Sequence, residues 1–165
     1  MRDRFAIALT CASLAACSGS APVTGKPFDP IEFFTGHTQG SARLNTITGG
    51  SHTVSVDSHG TADGHGGLVL DQKIVEQGQA PRVRRWVLHP AGPDRWAGSL
   101  TDADGPVAVE RTPVDVTIRY RMRNGATVEQ HLQRPPTGAV ENHMIVKRFG
   151  LRLATLDEKI QKGRG

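Results

Sequence analysis

Along residues 114–122, Val-Asp-Val-Thr-Ile-Arg-Tyr-Arg-Met, apolar side chains hold every even position and polar ones every odd position. A period of two is that of a strand with one buried and one wet face. Residues 126–132, Ala-Thr-Val-Glu-Gln-His-Leu, again carry mostly apolar even positions. Parity then selects the turn between them. A two-residue loop at Asn124-Gly125 would set Tyr120 opposite Glu129 and mix apolar with charged side chains on one face. A three-residue loop, Arg123-Asn124-Gly125 with Gly125 left-handed, pairs Met122 with Ala126, Tyr120 with Val128 and Val116 with Leu132. It also turns Gln130 inward beside Ile118, where its amide must find a partner in the core or in a ligand.

The same reading extends over most of the chain. Gly and Pro recur at short intervals from Gly40 to Pro136, with short β-branched runs between them, which is the punctuation of hairpin-connected strands. Further strands are expected at 41–48, 52–57, 67–75, 82–89, 95–101, 107–110 and 144–153. The fold class is therefore all-β. An antiparallel up-and-down barrel of about eight to nine strands closes such a meander without exposed edges. A two-sheet sandwich is the alternative.

One short helical element precedes the strands. In Phe28-Asp29-Pro30-Ile31-Glu32-Phe33-Phe34-Thr35-Gly36, Asp29 suits the N-cap, Pro30 the first helical position and Glu32 the capping box. Phe28 and Phe33 hold the staple positions, and Gly36 supplies a stop. One or two turns with an aromatic face follow.

The first residues decide location. Met1-Arg2-Asp3-Arg4 is followed by a short apolar run and then Leu14-Ala15-Ala16-Cys17. A basic start, an apolar stretch and a small-residue cleavage site make a secretory leader, and the run is shorter than the ~20 residues a membrane-spanning helix needs. Leu14-Ala15-Ala16-Cys17 resembles the bacterial lipobox, which implies that Cys17 is acylated and becomes the first mature residue. Cleavage there discards Cys11, the other of the two cysteines, so no disulfide remains and the core must suffice unaided. Each buried CH₂ of the acyl chains, palmitate-like in kind, adds about 0.8 kcal/mol to anchoring. Ser18 rather than Asp after the cysteine favours, by resemblance to envelope sorting, the periplasmic face of the outer membrane. The expected organisation is a leader at 1–16, a lipidated cysteine and Ser/Gly/Pro-rich tether at 17–27, and one domain at 28–165.

Charge changes little. A formal +4 over 165 residues is too small an excess to indicate nucleic acid, and export removes that partner. The partners expected are a membrane, through the N-terminal lipid, and an apolar small molecule; oligomeric state is not readable.

Three stretches together carry a resemblance: "FDPIEFFTGHTQGSARL", "VRRWVLHPAGPDRWAGSLTDADGPVAV" and "MIVKRFGLRLATL", downstream of the cysteine. They are similar to the bacterial lipoproteins grouped as the DUF3833 family, over residues 28 to about 162. The resemblance implies a lipocalin-like (calycin-like) barrel and a link to fatty-acyl chemistry. It brings no catalytic or binding residues and no cofactor.

Candidate chemistry is sparse. The run 58–67, Ser-His-Gly-Thr-Ala-Asp-Gly-His-Gly-Gly, holds two imidazoles and a carboxylate suited to zinc, copper or nickel. Its four glycines argue for a loose hairpin with exposed histidines, because ligands must be held in place. No metal is assigned to it. Ser51 and Ser99 lack a nucleophile-elbow pattern, so no catalytic residue is assigned and an enzyme is not the preferred reading. Arg82, Arg84, Arg85 and Arg119, Arg121, Arg123 form basic rows that suit a solvated face or lipid phosphates. The preferred reading is an anchored barrel carrying a fatty-acyl or other apolar ligand among Trp86, Trp96, Val116, Ile118, Tyr120, Val128, Gln130 and Leu132. A barrel filled by its own side chains, and an enzyme acting on envelope lipids, are the competitors.

Overall fold

The computed structural model describes residues 28–136 and 138–163. The leader, Cys17 and the tether lie outside the described residues. The element order is α1 (Pro30–Phe34), β1 (Gly36–Thr46), β2 (Gly50–Ala62), β3 (Leu68–Glu76), β4 (Arg82–Pro90), β5 (Arg95–Leu100), β6 (Val107–Arg111), β7 (Val116–Arg121), β8 (Thr127–Gln133), β9 (Val140–Arg148) and β10 (Leu151–Lys162). Every strand runs antiparallel to its chain neighbours, and β10 pairs with β1 to close a barrel. Closure leaves no sheet edge. A sandwich is excluded.

The β7–β8 hairpin has the register that parity demands: Val116 faces Leu132, Ile118 faces Gln130 and Tyr120 faces Val128. Gly125 is left-handed at φ 82°, and Met122 N donates to Ala126 O at 2.7 Å to close the three-residue loop.

The strand count is ten, not eight or nine. The stretch 144–153, read as one strand, is two, folded at Phe149-Gly150. Both residues are left-handed, at φ 52° and 79°, and Leu151 pairs with Arg148. Two consecutive positive φ angles make a tight hairpin turn whose twist matches the strands. A phenylalanine is rarely found in that conformation, so the turn carries no ordinary signature. The second unexpected extension is β10 through the polar run Asp157–Lys162. Its backbone pairs with β1 throughout and with β9 as far as Ile160, so pairing compensates for weak hydrophobicity.

Strand β2 also runs further than 52–57, through Ser58 to Ala62. Small inward residues permit this. A Cβ at Gly60 would collide with the carbonyl oxygen of Phe34, so glycine lets α1 lie directly across the barrel end.

Helix α1 is built as its residues dictate. Asp29 Oδ1 accepts from Ile31 N at 2.9 Å and Glu32 N at 3.1 Å. Phe28 meets Phe33 edge-on at 5.4 Å, and Gly36 at φ 84° turns the chain into β1. Phe33, Phe34, Leu68, Leu88, Val109, Leu132, Val140 and Ile160 bury together beneath α1. A smaller cluster of Ala42, Val54, Val56, Ile74 and Leu156 fills the opposite end.

Candidate functional site

Between those two apolar clusters the barrel carries a layer of inward polar side chains. On one wall, Ser58, Gln72 and Arg84 stand opposite one another across β2, β3 and β4. Gln72 Nε2 donates to Ser58 Oγ at 3.1 Å, while Arg84 Nε and Trp86 Nε1 both donate to Gln72 Oε1, at 2.8 and 2.7 Å. The Arg84 guanidinium also lies 5.2 Å from the Trp86 ring centre, a cation–π contact that favours charge in a dry place.

On the facing wall, Gln130, Asn142 and Glu158 come from β8, β9 and β10. Asn142 Nδ2 donates to Gln130 Oε1 at 3.1 Å and to Glu158 Oε2 at 3.0 Å. Gln130 Nε2 reaches the Tyr120 hydroxyl at 3.4 Å. The question raised by an inward Gln130 is answered by this chain of amides. Asn142 Oδ1 is buried with no hydrogen-bond partner, an arrangement that costs about 1–3 kcal/mol.

Arg84 and Glu158 are opposite charges in one interior, yet no ion pair joins them among the described residues. Burial raises the Glu158 carboxyl above its ordinary range, against the pull of Asn142 and of the Arg84 cation. Burial likewise raises the Tyr120 phenol, opposed chiefly by Arg84, and lowers the Arg84 guanidinium. The guanidinium nevertheless stays charged at any physiological pH.

Beside this layer is a cavity of about 60 Å³ lined by polar ends of Gln72, Arg84, Gln130, Asn142 and Glu158 and by apolar residues below α1. Pro30, Ile31 and Phe34 of α1 form its roof. Drug-sized ligands occupy about 300–1,000 Å³, so with α1 seated the interior is nearly filled.

Of the residues expected to line a cavity, Trp86, Ile118, Gln130 and Leu132 do so. Tyr120 lies beside them, edge-on to Trp86 at 5.6 Å. Val116 and Val128 are buried in the wall but do not reach the void. Trp96 sits apart, at the α1 end, where its Nε1 donates to Gly66 O at 2.8 Å.

Sequence reasoning placed Arg84 in a basic surface row and left Ser58, Gln72, Asn142 and Glu158 unassigned. The signal was parity. Arg84 shares its face with Trp86 and Leu88, and Glu158 shares its face with Leu156 and Ile160. Three other arginines of those rows are held by carboxylates: Arg82 by Asp102, Arg85 by Asp71, and Arg119 by Glu110 and Glu129.

The glycine-rich run does not assemble as a metal loop. Asp63 Oδ1 accepts from His65 N and Gly67 N, both at 2.8 Å, and these bonds hold its carboxyl below the usual range. Asp63 therefore shapes its own turn, while His59 has left with β2.

No family model matches the chain, and no curated protein matches it. Among solved structures it is similar to an S-type phycobiliprotein lyase from Guillardia theta, with a TM-score of 0.64 and 9% identity. That match covers 82% of this chain and 91% of the lyase. The likeness is one of fold, a lipocalin-like closed barrel.

Proposed function

We propose that the protein is an envelope lipoprotein whose barrel binds a small amphiphile, its polar head on Arg84 and its apolar body beneath α1. The observation that carries this is the interior polar layer. A buried ion costs several kcal/mol after relaxation, and apolar residues of similar volume usually serve stability as well or better. A barrel selected only to be solid has little use for a half-buried Arg84 and Glu158 that share no ion pair among the described residues, with a buried orphan acceptor on Asn142 beside Glu158.

The chemistry of the head follows from the donors. Arg84 offers a fork that matches a carboxylate, with the Tyr120 hydroxyl near it. Burial raises the Glu158 carboxyl, which lessens its repulsion of an incoming anion. A fatty-acyl carboxylate fits this set, and so does the resemblance to DUF3833 lipoproteins. A chain of any length needs more than 60 Å³, so α1 must lift to admit it. The similar lyase is named for phycobiliproteins, and a shared fold alone names no ligand here.

The test is direct. Titration of the full-length chain with a dansyl-labelled undecanoic acid, read by Trp86-to-dansyl energy transfer, should saturate at one equivalent. Arg84→Met should weaken binding at least tenfold while the far-ultraviolet spectrum is unchanged. The small cavity favours a second reading, a filled structural barrel. Absence of saturable binding by acids from short to long chain would establish that reading and overturn ours. For anchoring, Cys17→Ser should move the protein from membrane to soluble fractions; retention of that variant on membranes would remove the lipid anchor from the proposal.

A further inference from the structure

His37 and His59 stand opposite one another in the β1–β2 register, on the outer wall of the barrel. Their rings stack nearly parallel, 4.6 Å apart and 14° from coplanar. Asp57, two residues before His59 and therefore on the same face, bonds both. Its Oδ2 is 2.9 Å from His37 Nε2 and its Oδ1 is 3.5 Å from His59 Nδ1. One ligand atom from each residue lies within 4.8 Å of the others.

We propose that His37, Asp57 and His59 form a binding site for a divalent transition ion, with Zn²⁺ the best match. Two imidazoles and a carboxylate are the ligand chemistry that zinc takes in open sites, at about 2.0–2.2 Å from each atom. Tetrahedral geometry at those bond lengths separates ligand atoms by about 3.3 Å, and the two contacts to Asp57, 2.9 and 3.5 Å through its two different oxygens, fall on either side of that value. Two nearly parallel imidazole planes cannot both contain one ion, so the exposed His59 ring must rotate out of the stack for its nitrogen to join that of His37 on the ion. The half-exposed carboxylate and the largely exposed His59 leave the fourth position to water.

The surroundings hold two of the three ligands, Asp57 and His37, in place. Gln39 Nε2 donates to Asp57 Oδ2 at 3.4 Å. The Nδ1 side of the His37 ring packs against Gly163, where any Cβ would overlap the ring, so the ring's Nε2 is the atom left to face Asp57. Such supporting contacts are what separates a site from a chance cluster. Asp71, across β3 from His59, is no competing ligand because Arg85 grips both its oxygens.

The position gives the ion a physical consequence. His37 follows Gly36, the residue where α1 hands the chain to β1. An ion at this point ties the root of α1 to β2. The site is independent of the interior polar layer, which lies on the opposite face of the sheet.

Isothermal titration of the full-length chain with Zn²⁺ at pH 7.5, repeated with Co²⁺ and its visible absorption, tests the proposal. One equivalent should bind at micromolar or tighter affinity, and the Co²⁺ adduct should show the intense bands of a tetrahedral N/O site. His37→Gln, Asp57→Asn and His59→Gln should each weaken binding at least tenfold. His65→Gln should leave it unchanged. No binding at 100 μM Zn²⁺ would overturn the proposal. So would binding that His59→Gln leaves intact, since His59 is exposed and its loss does not threaten the fold; that result would place the ion elsewhere, as at the outer-face pair His131 and His143.

Discussion

Glu158 occupies the space that any side chain at residue 40 would need: a Cβ built on Gly40 would overlap the Glu158 carboxylate. The glycine is thus the complement of the half-buried acid, across β1 and β10. Gly40→Ala should destabilise the barrel by about 1–3 kcal/mol, the usual cost of overpacking. In chemical denaturation, Gly40→Ala combined with Glu158→Ala should recover part of that loss. Equal, additive losses would show that the two do not share space.

Because burial raises the Glu158 carboxyl, the folded state binds this proton more tightly than the unfolded chain. The Glu158 contribution to stability is therefore fully present below the ordinary carboxylate range. It declines as pH rises toward the folded-state value. Glu158→Gln should flatten that decline, so that its advantage over the parent grows with pH. Urea midpoints measured between pH 4 and pH 8 report it; parallel curves for the two proteins would contradict the assignment.

Gln72 Oε1 is the one acceptor for both Arg84 Nε and Trp86 Nε1. Gln72→Leu would leave a half-buried cation and a buried indole N–H without it. The expected loss is about 2–4 kcal/mol, larger than for removing an ordinary neutral hydrogen bond. Near-ultraviolet circular dichroism should change at the same time, since the Trp86 indole is fixed by this bond.

Phe149 is 89% exposed and left-handed, with the Arg148 guanidinium 5.1 Å from its ring centre. Phe149→Asn replaces a residue strained there with one that tolerates the conformation. It should raise stability by about 0.5–1 kcal/mol, seen as a higher thermal midpoint. A lower midpoint would mean that the ring has a partner worth more than the backbone strain.

Much of the architecture was legible because alternation is local. The three-residue turn at 123–125, the capped helix before Gly36 and the inward face of β7 and β8 follow from residues close in sequence. The tenth strand was not legible, since its turn rests on a phenylalanine that no turn rule expects. The interior site was only half legible. Gln130 declared itself by sitting among apolar even positions, whereas Arg84 was masked by its basic neighbours Arg82 and Arg85, and Glu158 by a polar run.

The sequence by itself determined the period of the strands, the ends of most of them and which side chains alternate. Tertiary structure decided that β10 closes on β1, that Arg84 and Glu158 share one interior, and that His37 meets Asp57 and His59 on the outer wall. The physical reason is range. A strand's two faces are set by its own residues, but which face is inside, and which distant charges meet there, is settled only when the sheet closes.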